Sequence, residues 1–141
     1  MIKVKKLKPD ALLPVIATEG SVGYDLFACL EFSHSILPGQ GVLIPCGIAI
    51  EPLDGYWAKI ESRSSLATKS DLIVKCGVID PDYRGELKVA LHNVGGLRQA
   101  IVHGMKIAQF VLYPVSIFPV FEVEELRETK RGAGGFGSTG S

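Results

Sequence analysis

This sequence has no surplus of charge, few cysteines and no long apolar run, and each shortage removes a class of function. Fifteen Lys and Arg balance fifteen Asp and Glu. A neutral chain carries no broad field to hold nucleic acid or an anionic membrane, so neither partner is expected and any anionic ligand must be gripped by a local site. No stretch approaches the roughly 20 apolar residues of a membrane span. The longest early apolar stretch, Ala11 to Ala17, is broken by Pro14. Met1 to Lys8 interleaves lysine with apolar residues and so lacks the unbroken apolar segment of a secretion signal. Cys29, Cys46 and Cys76 are odd in number, widely spaced and without a CxxC pair. They read as reduced core thiols in a reducing compartment, cytoplasmic or, for a eukaryotic or viral source, nuclear. His34, His92 and His103 share no metal-ligand spacing and are assigned to surface or edge positions. No Ser/His/Asp or Cys/His pattern points to acyl transfer.

What is present fits one domain. Of 141 residues, 47% are hydrophobic, enough for a single core. Sixteen glycines and eight prolines leave only short segments between them, which favours many strands over a few helices. Period-two alternation supports this. Leu87, Val89 and Leu91 point one way while Glu86, Lys88 and His92 point the other. Tyr56, Ala58 and Ile60 alternate with Trp57, Lys59 and Glu61. Val42 and Ile44 begin an alternation that Pro45 interrupts and Ile48 and Ile50 resume. Ile107 to Val115 is almost continuously apolar, as expected of a strand buried on both faces. Pro38-Gly39, Pro52 to Gly55, Pro81-Asp82 and Gly95-Gly96 mark turns. Val123 to Lys130 reads as a short helix or a linker. From Arg131 to Gly140 five of ten residues are glycine, so that segment cannot pack a core. The expectation is an all-β domain over residues 1–130 with a flexible Gly-rich C-terminal arm over 131–141.

Five segments carry chemistry. Ser62-Arg-Ser-Ser-Leu-Ala67 joins a planar guanidinium to adjacent hydroxyls, a set matched to phosphate oxygens. Its plainer reading is a serine-rich turn capping a short helix at Leu66 to Lys69. Gly77-Val-Ile-Asp-Pro-Asp-Tyr-Arg-Gly85 places carboxylates on either side of a stiff proline, with an aromatic ring beside them. It could position a general base toward water, or it is an ordinary turn. Arg131-Gly-Ala-Gly-Gly-Phe-Gly-Ser-Thr-Gly140 mimics a P-loop in spacing but has Ser138 where the lysine belongs, with no strand-to-helix context. Its glycines still allow close backbone approach to phosphates, and Phe136 suits stacking on a flat ligand. Asp25, in Gly23-Tyr-Asp-Leu-Phe-Ala28, is either a holder of metal-bound water or a turn residue. Gln109 is a polar group on a buried run and needs a partner, whether structural or ligand.

In this order and spacing the segments resemble the five signature motifs of the trimeric dUTPase family: Gly23 to Ala28, Ser62 to Ala67, Gly77 to Gly85, Gly104 to Gln109 and Arg131 to Gly140. The resemblance spans essentially the whole chain. It implies a jelly roll, or distorted β-barrel, that assembles as a homotrimer and hydrolyses dUTP to dUMP and pyrophosphate, limiting uracil in DNA and supplying dUMP for dTMP synthesis. It also implies sites shared by three subunits: motif three from one, motifs one, two and four from a second, the arm from a third. By position, Asp80 is then the general base for in-line water attack at the α-phosphorus. Mg2+ bridges the phosphates, and Asp25 contacts it through water. Arg63, Ser64, Ser65 and Gln109 hold phosphates. Gly77, Val78, Ile79 and Lys88 frame the uracil in a hairpin. Tyr83 packs under the deoxyribose and excludes a 2′-hydroxyl. Phe136 stacks on the base, Arg131 reaches the γ-phosphate, and Gly137, Ser138 and Thr139 close over the phosphates.

The chain departs from the family pattern at Ser62 and Ser65, where proline and glycine are usual, and at Met105 and Lys106, where aspartate and arginine are usual. The missing carboxylate leaves open how Gln109 is held. Two rival readings stand beside hydrolysis. Deamination of dCTP on the same fold needs a glutamate near the pyrimidine, and Glu86 is close in sequence. A binding module that has lost its chemistry should also have lost Asp80 or the arm, and both are present.

Overall fold

A computed structural model describes residues 1–135. Its elements, in chain order, are β1 (Lys3–Lys6), β2 (Val15–Ile16), β3 (Tyr24–Phe27), β4 (His34–Ile36), β5 (Gly41–Pro45), β6 (Ile48–Glu51), β7 (Tyr56–Glu61), α1 (Ser64–Lys69), β8 (Leu72–Val74), β9 (Val78–Ile79), β10 (Lys88–Asn93), β11 (Gln99–Ile101) and β12 (Lys106–Pro114). All strand pairings are antiparallel. The largest sheet runs β2-β3-β12-β7-β9 and the next β5-β10-β8, with small pairs β1-β6 and β11-β4. Most neighbours are distant in sequence, which is the jelly-roll manner of closing an all-β domain.

Alternation in the sequence becomes the core. Leu26, Ala58, Ile60, Ala108 and Phe110 of the large sheet share one buried cluster with Ile44, Leu72, Val89 and Leu91 of the smaller. Tyr24 stacks on Phe110 with centroids 4.9 Å apart. Buried Asn93 donates through its amide to the Ile36 carbonyl at 3.0 Å and the Leu97 carbonyl at 2.7 Å, and its Oδ1 accepts from Gly95 N–H, anchoring the Gly95-Gly96 turn. A polar group buried this deeply is tolerated because its donors and acceptor are paired.

One alternative is decided and two expectations change. Of the two readings of Val123 to Lys130, helix or linker, the structure takes the second: no helix forms there, and the last strand ends at Pro114. Along Ile107 to Val115 only Ile107 and Ala108 are consecutively buried, and Val111, Leu112 and Tyr113 are partly open. Their apolar side chains lie on the outer face and toward the strand's end, which this chain alone does not cover. Finally, Cys29 and Cys46 are buried but Cys76 is exposed, so only two of the three are core thiols. All three are free.

Register across the large sheet places the site. Asp25 pairs with Gln109, and Gln109 pairs with Glu61 on the other side, so three polar side chains stand in a row on the face away from the core. A register shift between Lys106 and Ala108 leaves Ile107 as the extra residue of a bulge. Counting back from buried Phe110 and Ala108, unbroken alternation would turn Lys106 inward. The bulge puts it opposite Phe27 instead, on the face that carries Asp25.

Burial pushes the Cys46 thiol up to about 12, with Glu86 as the next contributor. That leaves only about one thiolate in ten thousand at pH 8. A disulfide reagent at pH 8 should therefore modify exposed Cys76 in the native protein and reach Cys46 only after unfolding. Rapid native modification of Cys46, read by peptide mass mapping, would contradict this packing.

Candidate active site

Two clusters gather the residues singled out in the sequence. The first lies on the polar row. Asp25 is 4% exposed. Arg63 Nε lies 2.9 Å from its Oδ1, and Lys106 Nζ lies 2.8 Å from Oδ2. The ammonium at Oδ2 acts as a charge partner without hydrogen-bond alignment, so this buried oxygen has no hydrogen-bond donor among the described residues. Arg63 Nη1 donates to the Lys106 carbonyl at 3.4 Å, tying motif two to motif four. One carboxylate against two cations leaves a local charge of about +1, which favours a polyanion and disfavours a bare metal ion.

Gln109 is held by backbone. Its Nε2 donates to the Ser62 carbonyl at 3.3 Å, and its side chain lies so close to Gly23 that a Cβ there would sit 2.1 Å from Oε1. Gly23 is thus required by close approach, and the carboxylate usual at position 105 is not needed to hold Gln109. Met105 packs against the core instead. Ser62, in the place of the usual proline, accepts from Val74 N–H at 2.8 Å and braces β8. The helix α1 begins at Ser64, with Arg63 in extended conformation at its N-cap and no side-chain cap bond. The Ser64 and Ser65 side chains are therefore exposed on its first turn rather than spent as caps.

The second cluster surrounds β9. A cavity of about 380 Å³ is lined by Leu43, Val78, Ile79, Asp80, Tyr83, Glu86 and Lys88. No ladder joins its β9 wall to its β10 wall. β9 pairs with β7, Ala58 to Ile79 and Lys59 to Val78, while β10 pairs with β5 and β8. Gly77 and Lys88 therefore frame an open slot between sheets rather than one ladder, and both line a neighbouring cavity of about 420 Å³. Asp80 is exposed at the rim, and its carbonyl accepts from Tyr83 N–H at 3.1 Å to close the turn. Tyr83 Oη donates to the Glu86 carbonyl at 3.0 Å. Arg84, which sequence reasoning passed over, braces the turn by donating to the Pro81 carbonyl at 2.6 Å and the Tyr83 carbonyl at 3.0 Å. Glu86 lines the slot, but its Oε1 accepts from Gly47 N–H at 3.0 Å and its Oε2 lies 3.9 Å from Lys88 Nζ. A carboxylate engaged in holding the β5–β6 turn is poorly placed to attack a pyrimidine, which weakens the deaminase reading.

The chain does not bring the two clusters into one cavity: the slot that Asp80 lines contains neither Arg63 nor Gln109. Arg131 is exposed in a turn whose Gly132 N–H donates to the Thr129 carbonyl and whose Gly134 N–H donates to the Arg131 carbonyl, each at 3.0 Å. Phe136, Gly137, Ser138 and Thr139 lie outside the described residues.

A family model described as dUTPase matches residues 10–140. The chain belongs to the dUTPase family. The deoxyuridine 5′-triphosphate nucleotidohydrolase of Hydrogenobaculum sp. strain Y04AAS1 is 49% identical to this dUTPase over 97% of the chain and 96% of its own length. A structure of a Staphylococcus bacteriophage 80alpha dUTPase variant with dUpNHpp superposes with a TM-score of 0.90 at 25% identity, covering 100% of this chain and 99% of that one. A variant of the phage phi11 dUTPase of S. aureus, described with a structural Mg(II) ion, gives 0.82 at 23% identity over 91% and 99%. The membership accounts for the jelly roll and for the order of the five motifs in this dUTPase.

Lys106, Leu43 and Arg84 are site residues that pattern reading did not select. Leu43 had a signal: it is a large apolar side chain on the outward-facing phase of β5, 59% exposed. Lys106 had a weak one, a basic residue where arginine is usual in motif four, and Arg84 had none, because its partners are backbone carbonyls. Replacing Asp25 by Asn should strand Arg63 and Lys106 as unmatched cations. We expect a loss of about 2 kcal/mol in urea unfolding, below the full cost for a buried pair because both cations are partly exposed. An unchanged midpoint and slope would show that the pair is incidental.

Proposed function

We propose that this dUTP diphosphatase hydrolyses dUTP to dUMP and pyrophosphate at sites completed between subunits, with Asp80 as the general base. The observation that carries this reading is the separation of two half-sites that each need the other. The slot has a base-sized cavity and an exposed carboxylate but no paired set of cations, whereas the Asp25–Arg63–Lys106 cluster has the charge for phosphates and lines neither of the two cavities around β9. A homotrimer that sets the slot of one subunit against the cluster of a second joins them. Exposed Ile117, Phe118, Val120, Phe121 and Leu126, on a segment without regular structure, supply apolar surface that a partner subunit would cover.

In the joined site, uracil lies in the slot against Gly77, Val78 and Ile79, with Lys88 facing. Tyr83 underlies the deoxyribose. Arg63 takes the phosphates, aided by the exposed hydroxyls of Ser64 and Ser65 and by the remaining amide N–H of Gln109. Lys106 adds a charge that the Asp25 carboxylate keeps oriented. Asp80 holds a water at the α-phosphorus and accepts its proton as the oxygen attacks in line with the pyrophosphate. The arm, residues 131–141, closes the site, with Arg131 at the γ-phosphate, Phe136 on the base, and Gly137, Ser138 and Thr139 over the phosphates.

A divalent cation, which we take as Mg2+, offsets charge on the leaving pyrophosphate when bound. The residue that would hold it in outer-sphere fashion is Asp25: its Oδ2 has no aligned hydrogen-bond donor among the described residues, and a metal-bound water would take the place that Lys106 Nζ holds at 2.8 Å. The net positive charge beside it means that the ion arrives with the triphosphate rather than alone.

Pyrophosphate release from dUTP, UTP, dTTP and dCTP tests the assignment, with release from dUTP alone expected. The Asp80→Asn variant should bind dUTP as before and turn over about 10²–10⁴-fold more slowly. Normal turnover in that variant would remove Asp80 from the mechanism. Gly85 gives a test of the sugar contact, because a Cβ there would lie 2.4 Å from Tyr83 Oη and push the ring out of place. Gly85→Ala should lower the kcat/KM preference for dUTP over UTP by about tenfold or more, the scale of a lost pocket contact. An unaltered preference would separate Tyr83 from the rejection of ribose.

A further inference from the structure

Three segments far apart in sequence end at one place outside the active-site clusters. Asp10 precedes β2, Cys29 follows β3, and His103 lies in the turn before β12. A ligand atom of each lies within 4.8 Å of the other two. Cys29 Sγ donates to Asp10 Oδ1 at 3.8 Å, and His103 Nδ1 is 3.9 Å from Asp10 Oδ2.

The hydrogen bonding here is incomplete in a telling way. Leu30 N–H donates to His103 Nδ1 at 3.3 Å. Nδ1 therefore carries a lone pair, and the ring proton belongs on Nε2. A nitrogen lone pair and a carboxylate oxygen thus face each other across 3.9 Å with no proton between them. Two acceptors so placed repel each other weakly, and a cation between them turns that repulsion into attraction.

We propose that Asp10, Cys29 and His103 form a binding site for a thiophilic divalent cation of the Zn2+ class, with water in the fourth position. Thiolate, imidazole and carboxylate are the donors such ions take, and three protein ligands plus water is a known coordination count for them. A tetrahedral ion with bonds of about 2.3 Å to sulfur and about 2.0–2.1 Å to nitrogen and oxygen sets S···O near 3.5 Å and N···O near 3.3 Å. The Sγ···Oδ1 separation of 3.8 Å and the Nδ1···Oδ2 separation of 3.9 Å lie a few tenths of an ångström beyond these but involve different oxygens of Asp10, and one ligand atom from each residue lies within 4.8 Å of the others, so an ion must draw Asp10 and His103 inward by about an ångström. Asp10 and His103 side chains are 59% and 38% exposed and can rotate inward, while Cys29 is fixed in the core. Thiolate and carboxylate together neutralise the ion, and the Cys29 thiol releases one proton to solvent for each ion bound. The ion exchanges the long Leu30 N–H bond for a coordinate bond to Nδ1. Its effect is structural: it cross-links the residue-10 segment, the end of β3 and the turn into β12. That turn is already tied to β3, since Gly104 N–H donates to the Ala28 carbonyl and Ala28 N–H to the Met105 carbonyl.

Cobalt(II) is the probe, titrated into the full-length protein in excess Mg2+, with exposed Cys76 replaced by Ser to remove the competing thiol. One Co2+ per chain should give a near-ultraviolet thiolate-to-cobalt charge-transfer band that Zn2+ displaces, and Zn2+ should raise the unfolding temperature. Adding Cys29→Ser should abolish the band. His103→Ala, a change at an exposed side chain that leaves the core intact, should weaken Co2+ binding by about tenfold or more. Absence of the band in folded Cys76→Ser protein would overturn the proposal. So would a band that survives Cys29→Ser, or an affinity that His103→Ala leaves unchanged.

Discussion

The Asp25 carboxylate, buried between Arg63 and Lys106, is the constraint on which the functional end of this domain depends. Removing a carboxylate from water costs several kcal/mol unless cations and hydrogen bonds replace the solvent. Arg63 meets that need from the loop after β7, and Lys106 meets it from the start of β12. Neither cation could reach Asp25 without the order β3-β12-β7. The ion pair therefore requires the sheet, and the sheet holds the phosphate-facing groups where the ion pair needs them. A bulge at Ile107 completes the arrangement by turning Lys106 onto the polar face.

The same economy governs the slot. Its rim carboxylate, Asp80, is placed by a short turn whose hydrogen bonds are nearly all backbone or Arg84 guanidinium to carbonyl. The Asp80 carboxylate is exposed, so it is not fixed by burial. It is fixed instead by the stiffness of the Pro81 turn and by Tyr83 lying across Gly85. The two clusters thus rest on two different kinds of order, a buried charge network and a rigid exposed turn. Each half alone is a plausible surface feature. Their complementarity argues for an assembly in which they meet.

The period-two strands were legible because alternation is local: β7 and β10 follow from Ala58, Ile60, Leu87, Val89 and Leu91 directly. The motifs were legible because their residue types and order belong together. Other features were not. The Val123 to Lys130 stretch has helical composition, yet six to eight residues gain too little from helix formation without a face to pack on. That no ladder joins Gly77 to Lys88 follows from pairings distant in sequence, because β10 has its hydrogen bonds satisfied by β5 and β8. The lost carboxylate at position 105 left Gln109 in doubt until its partners were seen to be the Ser62 carbonyl and the close backbone of Gly23.

By itself the sequence determined the all-β class, the dUTPase family and the residue types of the candidate site, since these rest on local periodicity, composition and motif order. Only the tertiary structure decided that Lys106 faces Asp25, that Arg84 braces the Pro81 turn, and that Asp10, Cys29 and His103 converge. Each of those depends on strand register, a one-residue bulge or a turn that joins segments tens of residues apart. Such relations arise when the chain closes on itself and leave no trace in local spacing.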